Sequence, residues 1–296
     1  MSIASLSGGR VIMSKLAQEN SFDALTIAIR HGLVRKQFGP ANKPETTLMD
    51  YPLHQFRLFS HLAEALHNWL GGLRMVGLWV ENLPQLDNEK NKRNELMHGL
   101  SSACKAYSTW FSQQTIAECR QALGGLGFSH YSMLGKSYAD GDVNQTFEGD
   151  NHVMIMQTAR FILKNLSWMV KGKPIMETCE YLSMADPDPA SFSGTLTDKD
   201  FIRLFQKRAK DTAMAAGELL ATNPNLWDEA QPYVVKEATR AYYDLYLAQT
   251  YKDFVKKVED EKFRAVLTRL SDIFNRAVVL RDGLYFRDFL SKEQIT

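Results

Sequence analysis

Three short segments carry side chains whose types and spacing could do chemistry. Arg35-Lys36-Gln37-Phe38-Gly39 ends a helical stretch, where a guanidinium could fork onto a phosphate while a phenyl ring lies against a flat ligand. Cations and a glycine also suit any helix C-terminus, which accounts for Arg35, Lys36 and Gly39 but leaves Gln37 and Phe38 without a reason. Gln121-Ala122-Leu123-Gly124-Gly125-Leu126-Gly127-Phe128 has consecutive glycines, over which a ligand can approach bare backbone. It is not a Walker A loop, since no Gly-Lys-Ser/Thr follows, nor a dinucleotide fingerprint, since no strand precedes it; a plain helix stop is the alternative. Asn144-Gln145-Thr146-Phe147-Glu148-Gly149-Asp150-Asn151 sets two carboxylates before an apolar-periodic helix. They serve either the dipole and cap of that helix or, in one of them, proton abstraction.

Other reactive side chains offer less. His54, His61 and His67 share one long helix but lack the i, i+4 pairing that chelates a metal on one face, so no metal site is expected. Cys104, Cys119 and Cys179 are too few and scattered for a disulfide framework, and no Cys-x-x-Cys pair suggests structural zinc; a reducing compartment is the default. The 35 Lys plus Arg against 34 Asp plus Glu leave a net charge of +1, which removes the bulk electrostatic case for nucleic acid or an anionic membrane. No apolar run reaches the roughly 18 residues of a membrane span. Neither end carries a readable address: Met1 to Ser5 lacks a basic and apolar leader, and Glu293 to Thr296 is not a peroxisomal tripeptide.

The elements that must position these segments are helices. The chain of 296 residues, 45% of them hydrophobic, repeats its apolar residues at helical spacing, as in Leu96, Leu100, Ala103, Tyr107 and Trp110 and again in Tyr243, Leu247, Tyr251, Phe254 and Val258. The pattern predicts helices from about Arg10 to Phe38, Tyr51 to Leu83, Asn91 to Leu123 and Asn151 to Val170, joined by a charged loop at 87–93 and a polar loop before Phe147. The fold class is therefore all-α, an antiparallel four-helix bundle over residues 1–172. Prolines, aspartates and serines over 173–196 read as a linker. Capping-box spacing at Thr197-Asp198-Lys199-Asp200 then opens a second all-helical domain over 197–296, with helices of about Asp198 to Thr222, Leu226 to Val258 and Glu261 to Leu290. That part holds no histidine or cysteine, so packing is its expected role.

In order along the chain, Arg35-Lys36-Gln37-Phe38-Gly39-Pro40, then Glu118-Cys119-Arg120 with Gly124-Gly125-Leu126-Gly127-Phe128, then Asn144 to Asn151 with Gln157-Thr158-Ala159-Arg160, resemble the acyl-CoA oxidase family. The wider acyl-CoA dehydrogenase superfamily shares the Arg-Lys-x-Phe-Gly, Gly-Gly-x-Gly and aromatic-Glu-Gly elements. Its dehydrogenases usually follow Glu-Gly with Thr-x-Gln, whereas oxidases carry an acidic residue and then Asn, as Asp150-Asn151 do here. Phe147 stands where a tyrosine is commoner.

The resemblance implies that Glu148 removes the α-proton of a fatty acyl-CoA while the β-hydrogen passes to FAD, with molecular oxygen reduced to hydrogen peroxide and a trans-2-enoyl-CoA formed. It implies that Arg35, Gln37 and Phe38 meet the FAD of the other subunit of a homodimer, that Gln121, Gly124 and Gly125 line the same cofactor, and that Arg10 and Gly149 lie by the substrate. It also implies a peroxisomal setting, further helical and barrel domains ahead of Arg10, and an incomplete last domain. The expectation is that the isolated chain is helical and dimer-prone and holds no FAD. Two other readings stay open: a dehydrogenase passing electrons to a flavoprotein, and a non-catalytic helical dimerisation fragment.

Overall fold

The computed structural model describes residues 3–86, 88, 91–222, 225 and 227–295. The long helices are α1 (Ile3–Val34), α2 (Pro52–Asn82) and α3 (Lys92–Ala122). After them come the single turn α4 (Gly125–Phe128), α5 (Leu134–Asp142) and α6 (Asn151–Val170). The remainder comprises α7 (Asp198–Thr222), the short α8 (Trp227–Ala230), α9 (Lys236–Val255), α10 (Glu261–Arg281) and the closing turns α11 (Gly283–Phe286) and α12 (Lys292–Ile295). No strand occurs among the described residues beyond one isolated bridge, Lys36 with Thr47. None of their helices is long and apolar enough to cross a membrane.

Local chemistry sets the helix ends. Pro52 opens α2 at a position where its missing N–H is not needed. Asn91 caps α3 by accepting from the Arg93 N–H, and Asp150 caps α6 by accepting from His152 and Val153. The box predicted at 197–200 forms, with the Asp200 carboxylate taking the Thr197 N–H at 3.0 Å and hydroxyl at 2.6 Å while Thr197 Oγ1 receives the Asp200 N–H at 3.4 Å.

Cross-helix bonds give the directions. Arg57 pairs with Glu118, His61 meets Thr115 at 2.9 Å and Asn82 donates to Asn94 at 2.7 Å, so α2 runs antiparallel to α3. Thr158 bonds the Gly99 carbonyl and Asn151 the Ala106 carbonyl, so α6 does too. α1 lies parallel to α3, since Arg10 donates to Ser102 at 3.4 Å and, further along both helices, Ser112 donates to the Ala17 carbonyl at 2.6 Å. The four make an up-down-up-down bundle around α3. α3 is buried almost throughout from Leu96 to Ile116, and its small polar residues satisfy themselves on carbonyls one turn back, as Ser102 does on His98 and Thr109 on Lys105.

α9 is the second buried rod. It rides parallel to α2, with Arg240 on Glu64, Tyr243 on Asn68 and Tyr246 on the Gly71 carbonyl. One continuous core joins Val11, Leu100 and Phe161 to Phe205, Tyr242 and Val278. At its edge the fully buried Asp244 receives Arg208 at 2.9 Å, Arg240 at 2.9 Å and Arg281, tying together α7, α9 and α10. Burial alone would raise the Asp244 carboxyl, but the three guanidiniums outweigh it and hold it well below the usual carboxylate range.

Several boundaries differ from the sequence reading, the first being the start of α1 at Ile3, ahead of Arg10. α1 stops at Val34 rather than Phe38, because Arg35 to Phe38 turn into a small ladder in which Gln37 donates to Thr46, Thr46 to Phe38 and Leu48 to Arg35. The presumed polar loop before Phe147 contains α5, hidden by its glycines and anchored by buried Leu134. The helix expected over 226–258 is interrupted by a π-turn at Gln231–Val235, where Pro232 has no N–H to give. The helix expected to reach Leu290 breaks at Asp282, ahead of Gly283. The proline-rich stretch over 173–196 is no free tether either: Met176, Cys179, Tyr181, Leu182 and Phe192 are buried in the main core.

Replacing Asp244 with Asn strips the countercharge from three guanidiniums. Breaking a buried ion network this way costs about 3–5 kcal/mol, whereas Asp253→Asn, in an exposed pair, shifts stability by less than about 0.5 kcal/mol. Urea unfolding at neutral pH reads both. Because the folded carboxyl lies below its unfolded value of about 3.9, its contribution is complete above that pH and decays as pH falls towards the folded value. Asp244→Asn therefore flattens the acid limb of the stability curve.

Candidate active site

Glu148 lies in the turn between α5 and α6, outside the helix whose cap is Asp150. Of the two carboxylates in the segment, Asp150 takes the capping role and Glu148 is left for other work. Its backbone is left-handed, φ 59°, and Gly149 follows at φ 106°. Such a conformation is uncommon for a non-glycine residue and persists only where the surroundings enforce it.

The enforcing residues come from α1 and α3. Arg10, buried on α1, donates through Nε to the Glu148 carbonyl at 3.3 Å and through Nη1 to Ser102 Oγ at 3.4 Å and His98 Nδ1 at 3.0 Å. A guanidinium only donates, so His98 Nδ1 is the acceptor and the ring proton sits on Nε2, facing Gln157 Oε1 at 3.4 Å. Burial lowers the His98 pKa and the Arg10 charge lowers it further, consistent with a neutral ring. The Glu148 carboxylate itself reaches back to α1. A side-chain carbon on Gly9 would stand 2.5–2.6 Å from it, so only glycine leaves that room.

Lys105 is fully buried on α3, yet all three of its donors are used: on the Gln145 carbonyl at 3.1 Å, the Gly149 carbonyl at 2.6 Å and Asn151 Oδ1 at 2.8 Å. Burial pushes its ammonium down to about 8, against the raising effects of Asp150 and Glu148, so at neutral pH it stays charged. The sequence reading missed Gly9, His98 and Lys105. A signal was present for the lysine, which interrupts the small and apolar run Ala103-Cys104-Lys105-Ala106 in the middle of a helix.

The other predicted site residues gather elsewhere. Arg35 and Phe38 are exposed on the small ladder after α1, with Phe38 at φ 60° and 74% exposed, and Gln37 is half-buried, its carbonyl held by the Tyr51 hydroxyl at 3.0 Å. Gln121 is exposed at the end of α3, and Gly124, at φ 59°, and Gly125 have no atom within 4 Å of where a side chain would begin. Met49, beside that ladder, shares a core cluster with Ala122 and Leu123 of α3, so the two groups occupy one end of the bundle. Glu148 and Arg10 occupy the other. The stretch of α1 from Gly9 to Val34 spans roughly 37 Å at about 1.5 Å per residue. The structure thus brings Arg10, Glu148 and Gly149 together, sets Arg35, Gln37 and Phe38 near Gln121, Gly124 and Gly125, and keeps these two sets apart.

His67 is stacked between Tyr251 and Phe274 at centroid distances of 3.7 and 3.9 Å, with burial pushing its pKa down to about 3. The three cysteines are buried and free.

Arg10→Met keeps the stem but strips the Glu148 carbonyl of its partner. The expected loss is about 1–3 kcal/mol of stability in urea, the range for a buried hydrogen-bonding group left unpaired. A change within error would mean that Arg10 does not hold the turn.

Comparison with known proteins gives these residues a lineage. Residues 4–163 match the family model described as acyl-CoA oxidase, C-alpha1 domain. The chain is 28% identical over 289 residues to acyl-coenzyme A oxidase acox-3 of Caenorhabditis elegans, covering 93% of this chain and 43% of that protein. It is 36% identical over 174 residues to human peroxisomal acyl-coenzyme A oxidase 3, covering 57% of this chain and 25% of that one. Among solved structures, acyl-CoA oxidase-2 of Caenorhabditis elegans, bound with FAD, ascaroside-CoA and ATP, superposes with a TM-score of 0.88 at 26% identity over 98% of this chain and 45% of its own. The chain therefore spans less than half the length of these relatives. It belongs to the acyl-CoA oxidase family.

Proposed function

We propose that this chain supplies the catalytic base and part of the flavin-binding surface of an acyl-CoA oxidase, which converts a fatty acyl-CoA to its trans-2-enoyl-CoA while molecular oxygen becomes hydrogen peroxide. The observation that carries this reading is the state of Glu148: a carboxylate released from capping, on a left-handed backbone, in a turn held by buried cations from two helices.

Glu148 acts as the base for the α-proton. That C–H becomes acidic enough only when the thioester oxygen is polarised, and the Glu148 main-chain N–H, which meets no acceptor among the described residues, is available to donate to it. The β-hydrogen leaves with its electron pair. FAD, when bound, supplies the acceptor for that pair and the route by which it reaches oxygen.

The other end of the bundle fits such a cofactor. Gly124 and Gly125 present bare backbone to open space, Phe38 presents an exposed ring, and Arg35 offers a guanidinium beside them. A flat group attached to a diphosphate meets its complements in these. Roughly 37 Å of helix separates this surface from Glu148, farther than one flavin dinucleotide reaches. That separation supports a homodimer in which Arg35, Gln37 and Phe38, with Gln121, Gly124 and Gly125, serve the cofactor lying against the neighbouring copy's Glu148. The human relative's name places that protein in the peroxisome, and the same compartment is proposed here.

In a peroxide-coupled assay of the holoenzyme with a fatty acyl-CoA, Glu148→Gln should lower kcat by about 10²- to 10⁴-fold, the contribution of a positioned base, with the fold intact by circular dichroism. Unchanged turnover would remove Glu148 from this role.

A further inference from the structure

We propose that Lys105 and Gly9 are positioning residues for the Glu148 carboxylate: Lys105 fixes the main chain on both sides of it, and Gly9 leaves the space it occupies. This rests on reading Glu148 as the base and adds what sets its position.

A left-handed non-glycine backbone is strained and relaxes unless it is anchored. The anchors here straddle the residue. Lys105 Nζ holds the Gln145 carbonyl ahead of Glu148 and the Gly149 carbonyl directly behind it, so the turn cannot swing about either end. Its third partner, Asn151, is itself locked, donating to the Ala106 carbonyl at 3.2 Å and Thr109 Oγ1 at 2.9 Å, which aims Oδ1 back at the ammonium. Three acceptors converge on three donors, a match that neither a methionine nor the flat fork of an arginine reproduces. A buried ammonium carries a desolvation cost that an apolar side chain would avoid, and no carboxylate pairs with it among the described salt bridges.

Gly9 acts on the side chain. The nearest atoms to a carbon placed on it are the Glu148 carboxyl carbon and oxygens at 2.5–2.6 Å, the far end of a flexible chain. An alanine there would leave the helix in place and push the carboxylate aside. Proton abstraction depends on atoms within hydrogen-bond reach, and a displacement of about 1 Å costs about 10²-fold in rate.

Two measurements test this. Hydrogen exchange on the 296-residue chain, read over residues 143–151, should be at least about tenfold faster in Lys105→Met than in the unaltered protein and unchanged in Gly9→Ala, with α7, α9 and α10 equal in all three. In the holoenzyme, both variants should lower kcat by about 10²-fold and leave KM within about threefold. Exchange and kcat within about twofold of the unaltered protein in Lys105→Met would overturn the proposal. Should that variant unfold, Gly9→Ala decides alone: full kcat in it overturns the proposal, and lost kcat with protected exchange upholds it. Glu148→Gln, run alongside, separates the two ideas: full turnover there removes the base assignment and this proposal with it, whereas loss there with full turnover in Lys105→Met and Gly9→Ala removes this proposal only.

Discussion

The structure depends on the burial of α3 along nearly its whole length. A helix enclosed on every side must satisfy each polar group internally and keep its neighbours within van der Waals reach. This explains its composition. Serine and threonine at 101, 102, 108, 109 and 112 are narrow enough to admit neighbouring helices, and they return their hydroxyls to nearby carbonyls. Lys105 follows the same rule at a larger scale: a charge at such a depth persists only with every proton taken, and the groups that take them belong to the turn bearing Glu148.

The helices after residue 197 brace that arrangement. α9 is buried from Ala241 to Ala248, and its tyrosines hydrogen-bond across to α2 and stack on α3, Tyr243 lying 5.2 Å from the Tyr107 ring. The charges around Asp244 join α7, α9 and α10 and continue through Arg240 to Glu64 on α2. A buried ion network of this kind contributes less net stability than its Coulomb attraction suggests, because desolvation offsets much of it. The histidine-free and cysteine-free part of the chain thus packs against α2 and α3.

The two groups of candidate residues sit at opposite ends of one bundle, and their surroundings differ accordingly. Around the turn that bears Glu148, the anchoring side chains Arg10, Lys105 and Asn151 are buried and hydrogen-bonded, while Glu148 itself is exposed. Around Phe38 and Gly124, backbone and rings are open, as suits a surface that waits for a partner.

Much of this was legible in the sequence. Helical periodicity and the box at 197–200 are local, so their physics is written in neighbouring residues. The three segments with functional promise were also visible, since Gly-Gly-x-Gly and Phe-Glu-Gly carry their backbone requirements in their composition. What neighbouring residues could not show lay in contacts between distant ones. The early end of α1 is made by pairing with Thr46 and Thr47, the burial of 173–196 by a core formed elsewhere, and the division of labour between Glu148 and Asp150 by Arg10, Lys105 and Gly9. Propensity and capping act over a turn or two of chain, so sequence settled the helical class and the approximate course of the long helices. Desolvation and close packing act between residues brought together only on folding, so tertiary structure alone decided that Arg10 and Lys105 hold the turn of Glu148 and that Gly9 faces its carboxylate.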